Sequence, residues 1–160
     1  PATVCGYAPR LRLDVVVNIL TINALINKKI KIFGGGQLRP NINIKDMVKA
    51  YELLLQAPSE KINRQIFNAG YQNLSVAEIA NIVKRLCGDE VVLEIVPTND
   101  KRSYHINSDK IKKVLGFTPQ FTVEGAVQSL ILAFKEGIIK DGLNNSAYYN
   151  IKRMQELKLK

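Results

Sequence analysis

Histidine is nearly missing from this sequence: His105 is the only one among 160 residues. A Ser-His-Asp triad or a histidine-bound metal would have to be built around that one side chain, so neither is expected. Cysteine is almost as scarce. Cys5 and Cys87 stand far apart without metal-ligand spacing, which favours two reduced core thiols over a disulfide or a site. No apolar run is long enough to span a bilayer, since "VVVNILTINALI" at 15–26 is broken by Asn18 and Asn23. The first residues carry no basic segment followed by an apolar stretch, and there is no repeat or low-complexity tract. The carboxylates mostly take helix-face positions and none pair off as an acid and a base. Residue types alone therefore describe a soluble globular chain, expected in the cytoplasm, with no catalytic apparatus and no metal site.

Positive charge is what the sequence has in excess. Lysine and arginine total 23 against 14 acidic residues, a formal charge of +9. Such an excess attracts polyanions, whether nucleic acid, anionic lipid or a phosphorylated small molecule. The basic residues are scattered through Lys28–Lys29, Lys101–Arg102, Lys110–Lys113 and Lys152–Arg153, with no helix-turn-helix, zinc-finger or aromatic ribonucleoprotein signature beside them. Nucleic acid is accordingly the less favoured partner.

Along the chain, "ATVC" (2–5) reads as a strand, Gly6 to Pro9 as a turn, and 12–27 as a helix with Val15, Val16, Ile19, Leu20 and Ile26 to one side. "KDMVKAYELLLQA" is helical and stops before Pro58. "QIFNAG" reads as a strand, and Ser75 with Glu78 forms a capping box for a helix over 76–87. "EVVLEIVP" is a further strand. Ser108 and Thr122 are the expected caps of two more helices that stop at Gly116 and Gly137, and "AYYNIKRMQELKL" is the last helix. Strands alternating with helices make this an α/β chain, with too few strands for a complete doubly wound sheet.

The stretch "IKIFGGGQLRPNINIKD" (30–46) is the most informative. Ile30 and Ile32 on one side, and Ile42 and Ile44 on the other, alternate as half-buried strands do, which suggests a hairpin turning at Gly34-Gly35-Gly36. Pro40 removes a donor and suits an edge or strand-entry position. Neither a Walker loop nor a dinucleotide fingerprint is present. Arg39, held at the mouth of the turn, has the planar fork that grips phosphate through two parallel bonds.

Taken in order, "PATVCGYAPR", "DVVVN", "FGGGQLRPNINIKDMVKAY", "FNAGYQNLSVAEIANIV" and "DKRSYHINSDKIKKVLGF" resemble the C-terminal half of an extended short-chain dehydrogenase/reductase. More narrowly, the chain resembles the NAD-dependent epimerase/dehydratase family that acts on nucleotide sugars. The best-matching segment is the Gly-x-Gly-x-x-Arg of 34–39 followed by "INIKDMVKA". The resemblance implies the last Rossmann elements plus a small mixed α/β substrate domain over 1–160. The dinucleotide-binding portion, with its G-x-x-G-x-x-G turn and Tyr-x-x-x-Lys pair, is then absent from this chain.

By position, the resemblance assigns Arg39 to the nucleotide diphosphate with help from Gln37, and Arg102 to the diphosphate and sugar, although "PTND" stands where the family has a further arginine. It gives Asn18 either to the same diphosphate or to a polar contact with a neighbouring strand. Thr3 falls near the hexose, and Pro1 with Ala2 pass the nicotinamide. Tyr104 and His105 either line the pocket or pack. The implied cofactor is NAD or NADP in the full-length enzyme and none on this chain alone, which is expected to be inactive. The implied partners are a nucleotide-diphosphate sugar, the missing N-terminal half and, at full length, a second copy in a homodimer. The other reading of the same residues is a noncatalytic basic module for a phosphorylated ligand or nucleic acid.

Overall fold

The computed structural model describes residues 1–100 and 102–159, so Lys101 of the Lys101–Arg102 pair lies outside the described residues. In chain order the elements are β1 (Thr3–Cys5), α1 (Val16–Asn27), β2 (Lys29–Phe33), β3 (Leu38–Asn43), α2 (Ile44–Gln56), the single-turn α3 (Ser59–Ile62), β4 (Gln72–Ser75) and α4 (Val76–Cys87). β5 (Val92–Val96), α5 (Asp109–Leu115), α6 (Val123–Lys135), a 3-10 turn (Ser146–Tyr148) and α7 (Asn150–Glu156) follow. None of the described helices is long and apolar enough to cross a membrane.

The strands form two small sheets. In one, β3 lies between β1, parallel to it, and β4, antiparallel to it; in the other, β2 runs parallel to β5. The expected hairpin between β2 and β3 is therefore corrected: the two strands belong to different sheets. Alternation reveals which face of a strand is buried but carries no information about its partner. The turn itself explains the divergence. Gln37 accepts from the Gly35 N–H at 2.8 Å and donates to the Phe33 carbonyl at 3.0 Å, taking the backbone groups that a hairpin ladder would have used. Gly34 has φ +77°, and a Cβ there would lie 2.5 Å from Gln37 Nε2 and 2.7 Å from Thr98 Cγ2, so only glycine fits. Pro40 sits inside β3 where β4 alone is paired, since the ladder to β1 begins at Asn41. Its missing N–H costs no bond there.

Other expectations are shifted. "QIFNAG" is not a strand; its one ladder-like bond runs from the Ala2 N–H to the Ala69 carbonyl at 2.7 Å, and the strand forms at Gln72–Ser75 instead. The first helix begins at Val16 rather than Arg12, because Asn18 Nδ2 holds the Arg12 carbonyl at 2.7 Å and the Leu13 N–H bonds the Tyr148 carbonyl at 2.8 Å, keeping 12–13 outside the helix. Ser108 does not cap α5; its hydroxyl accepts from the Gly70 N–H at 2.9 Å. The last helix divides into the 3-10 turn and α7, which buries no residue.

The caps governed by near neighbours match the sequence. Ser75 accepts from the Glu78 N–H and Glu78 from the Ser75 N–H, closing the capping box of α4, while Thr122 caps α6. Three apolar clusters hold the elements. Val17, Ile30, Ile79, Val83 and Val127 join α1, α4 and α6 to β2. Ile42, Met47, Ile111 and Phe117 fill the space beneath α2 and α5, and Leu13, Ile22 and Leu130 seal the base of α6. α1 buries six of its twelve residues, Val17, Asn18, Leu20, Thr21, Ile22 and Ala24, a broad face that suits its largely apolar sequence, while Ile26, expected on the apolar side, is 40% exposed. Asp46, itself buried, accepts the Gln120 and Phe121 N–H groups at 2.9 Å each and ties the start of α2 to the entry of α6.

Candidate functional site

The glycine turn meets residues 98–100 and 102–106 at the start of β3. Gln37 Nε2 reaches the Asp100 carbonyl at 3.1 Å, Leu38 N–H donates to Ser103 Oγ at 2.9 Å, and Tyr104 N–H reaches the Leu38 carbonyl at 3.4 Å. Farther along, the Asn73 side chain accepts from and donates to the backbone of Ile106. These bonds lay an irregular segment alongside a strand and bring two arginines 63 positions apart to one place.

Arg39 donates from Nη1 to the carbonyls of Leu38 and Arg102, places Nη2 3.9 Å from Asp100 Oδ2 and stacks over the Tyr104 ring at 5.5 Å. Its side chain is only 16% exposed, so packing fixes the guanidinium in direction. Arg102 is the reverse, 83% exposed. It forks onto Asp100 through Nε at 2.8 Å and Nη2 at 2.7 Å, and that charge-assisted pair holds the Asp100 carboxyl well below the usual carboxylate range. Arg39, Arg102 and Gln37 thus stand together, as the positional assignments grouped them. Gln37 spends its amide on Phe33, Gly35 and Asp100 and acts within the protein as the strut of the loop. Tyr104 and His105 are both exposed, with only Tyr104 against an arginine.

Phe33 is a further residue at this turn, one that no motif in the sequence marks. It ends β2, immediately before Gly34, and is 55% exposed. With Lys29 and Lys31 on the same outer row, and with Ile19, Asn23 and Asn27 of α1, it lines an open cavity of about 520 Å³. Since Gln37 bonds both the Phe33 and the Asp100 carbonyls, this cavity and the arginine pair lie on the two sides of one turn. An aromatic side chain exposed at a strand end was the available signal.

Asn18, Pro1, Thr3 and Ala2 lie elsewhere. Asn18 is 2% exposed; its Oδ1 accepts the Gly6 N–H at 3.0 Å, and its Nδ2 donates to the Arg12 carbonyl at 2.7 Å and the Gly6 carbonyl at 3.4 Å. Gly6 follows the end of β1, whereas Arg39 stands near the start of β3, which runs parallel. With Cys5 opposite Asn43, four residues of strand, roughly 13 Å, separate the two levels. Pro1 and Asn18 share a smaller cavity of about 310 Å³ with Arg10, Arg12 and Tyr51. Ala2 is buried in the core, and Thr3 is half-buried opposite Asn41; neither lines that cavity.

The expectation that the chain has no Tyr-x-x-x-Lys needs a correction, since Tyr148 and Lys152 have that spacing. They fall across the 3-10 turn and α7, where Tyr148 packs on the third cluster and the Lys152 ammonium lies 4.5 Å over the Tyr149 ring. Both cysteines are free, and burial pushes the Cys5 thiol up to about 12. Among the described residues no group of His, Cys, Asp and Glu could hold a metal ion. Two helices follow strands directly: in α2 the Lys45 N–H donates to the Asn43 side chain, and in α4 the Val76 and Ala77 N–H groups donate to the Gln37 and Gly35 carbonyls and the Glu78 N–H to Ser75 Oγ. Neither start offers the free glycine cradle that a dinucleotide pyrophosphate needs.

No family model matches the sequence. A curated relative, the UDP-sulfoquinovose synthase of Sulfolobus acidocaldarius, is 28% identical over 124 residues, 72% of this chain and 31% of that protein. Among solved structures, the UDP-glucose 4-epimerase of Thermotoga maritima with UDP-glucose superposes with a TM-score of 0.72 at 23% identity, over 86% of this chain and 45% of that one. The UDP-glucuronic acid 4-epimerase of Bacillus cereus, in complex with UDP-glucuronic acid and NAD, gives 0.71 at 21%, over 84% and 43%. The L-threonine dehydrogenase of Phytophthora infestans gives 0.71 at 14%, over 84% and 47%, so the fold by itself does not select a nucleotide sugar. The chain spans under half the length of each. It has the mixed α/β fold of the C-terminal part of the NAD-dependent epimerases and dehydratases, and its sequence resembles that family.

Proposed function

We propose that this chain is the substrate-gripping portion of an NAD(P)-dependent nucleotide-sugar epimerase or dehydratase. The observation that carries the reading is the meeting of Arg39 and Arg102 on one carboxylate at the glycine turn. Two guanidiniums aimed at a common oxyanion form a ready seat for a diphosphate, whose oxygens accept forked bonds as a carboxylate does. Phe33, across the turn, offers a flat apolar face to a base, with Lys31 beside it; Lys29, on the same row, is paired with Glu94 at 2.8 Å.

Gripping the nucleotide at a distance from the hexose serves catalysis by using binding energy from the unreactive part of the substrate to orient the reacting part. Nicotinamide chemistry, a reversible hydride transfer, would belong to the rest of the enzyme, a reading supported by the lack of a glycine cradle at the starts of α2 and α4. We expect this chain alone to bind nucleotide sugar without converting it. We expect a cytoplasmic homodimer as the working form of the full-length enzyme.

Calorimetric titration of the chain with UDP, UDP-glucose and dTDP-glucose tests the reading. Arg39→Ala should weaken diphosphate-bearing ligands by about 1.5–3 kcal/mol, the usual worth of a hydrogen bond to a charged group, and Arg39→Lys should restore only part. Thermal melts guard against mistaking unfolding for lost affinity. Nucleotide binding indifferent to Arg39→Ala would refute it. A chain that ignores nucleotides yet binds nucleic acid with steep salt dependence would instead be a basic module.

A further inference from the structure

α7 (Asn150–Glu156) buries none of its residues, and every side chain from 151 to 159 is exposed. A surface helix of a globular protein normally turns its apolar stripe toward the core. Here the stripe is left in water. Ile151, Met154 and Leu157 follow one another at three-residue spacing on one face, exposed by 71%, 45% and 51%. The backbone then brings Leu159 to the same side. The Lys158 N–H donates to the Gln155 carbonyl at 3.1 Å and the Leu159 N–H to the Met154 carbonyl at 3.0 Å, the paired bonds of a Schellman ending, in which the residue after the left-handed position folds back on the last turn. Lys158 holds that position at φ +52°, where only glycine escapes a steric penalty. The penalty gathers four apolar side chains, and no burial within this chain offsets it. The opposite side of α7 is charged: Lys152 and Arg153 stand there with Glu156, whose carboxylate accepts from Arg153 at 3.2 Å and from the Ser146 hydroxyl.

We propose that residues 150–159 form an interfacial arm that lies on an anionic lipid surface, a role independent of the nucleotide-sugar reading. Ile151, Met154, Leu157 and Leu159 enter between the headgroups, and Lys152, Arg153 and Lys158 meet lipid phosphates. The arm lies on a bilayer and does not cross it, in keeping with the lengths of the described helices. Charge and area select this partner. Over 150–159 three cations stand against one carboxylate, and Arg10, donating to Asn150 Oδ1 at 3.0 Å, adds another at the head of the helix. Asp14, which accepts the Asn150 N–H at 3.0 Å, is already paired with Arg12. A second copy docking through the same face would bring the cations of two arms together. A stable protein interface engages roughly 20–30 residues a side, more than this arm supplies. A bilayer needs no shaped counterpart, only apolar depth and opposite charge. The tether at Asp14 and Arg10 holds the arm by its head, so its outer face meets a surface without disturbing the core.

The test is flotation of the chain with vesicles of phosphatidylcholine alone and of phosphatidylcholine with phosphatidylglycerol at about three to one. The chain should float with the mixed vesicles and stay behind with the neutral ones. Ile151→Ser with Leu157→Ser, at exposed positions that leave the core intact, should lower partition about tenfold or more. Lys152→Gln with Lys158→Gln should lower it about fivefold for each charge removed. Lys112→Gln with Lys113→Gln takes the same charge from the exposed side of α5 and should matter much less. Equal losses from the two lysine pairs overturn the proposal, because the net charge of +9 would then account for binding. The sequence contains no tryptophan, so Leu157→Trp gives a single emission that should move to shorter wavelength on the mixed vesicles. Unshifted emission from vesicle-bound chain overturns insertion. Absence of flotation with either vesicle overturns the proposal, as does a sedimenting dimer that Ile151→Ser with Leu157→Ser disperses, which would make this face an interface between copies.

Discussion

Replacing Asn18 by alanine separates a ligand-binding role from a structural one. The amide joins the turn after β1 to the chain entering α1 by three hydrogen bonds, to the Gly6 N–H, the Gly6 carbonyl and the Arg12 carbonyl. Alanine removes both functions of the amide and leaves the Gly6 N–H and the Arg12 carbonyl without partners in a site only 2% exposed. Each buried unpaired group costs about 1–3 kcal/mol, so Asn18→Ala should lose about 2–5 kcal/mol of stability. For a chain of this size each kcal/mol lowers the midpoint by about 2–4 °C, and a drop of at least several degrees is expected. Urea unfolding with an unchanged slope gives the stability, and UDP-glucose titration, corrected for the folded fraction, gives the affinity. Asn18→Asp should fare worse in stability than its size suggests, since it keeps the acceptor, loses the donor and introduces a buried charge. Asn18→Ala should therefore show a large stability loss with near wild-type affinity per folded molecule. An Asn18→Ala chain that melts with the wild type while losing tenfold in nucleotide affinity would refute it and return Asn18 to the diphosphate.

Asp46→Ala should cost about 2–5 kcal/mol, because the Gln120 and Phe121 N–H groups lose their shared acceptor; Asp46→Asn, with one acceptor left, should cost less, and a urea-derived loss below about 1 kcal/mol for alanine would contradict the assignment. The Ser75 hydroxyl and N–H hold the Glu78 carboxyl below its ordinary value of 4.5, so its stabilising contribution is present above about pH 4.5 and is lost as the pH falls through the lower folded value. Carboxyl-detected NMR titration should show Glu78 titrating low in the wild type and returning toward the ordinary value in Ser75→Ala; a wild-type Glu78 that titrates normally would break the capping-box account.

What the sequence determined by itself lies within a few residues along the chain. Ser75 with Glu78, Thr122 at the head of α6, Gly116 and Gly137 at helix ends were legible because capping is made by a side chain and a backbone group three or four positions apart. The buried faces of β2 and α4 were legible for a related reason, since periodicity alone sets which side chains share a face. The order of the motifs also carried the resemblance, and Arg39 was marked by its place after the glycines.

Tertiary structure decided what depends on distant partners. β2 and β3 read as a hairpin because alternation has no memory of pairing, and only the fold put β5 beside one and β1 with β4 beside the other. Asn18 read equally as ligand or clamp until Gly6 and Arg12 were seen to consume its amide. Arg39 and Arg102 were separate candidates in sequence. Their meeting requires residues 98–100 and 102–106 to lie against β3 and β4, held by Gln37, Leu38 and Asn73. Those contacts are made between groups about thirty to sixty positions apart, where no local spacing rule reaches, and they bring two arginines that are distant in sequence to one carboxylate.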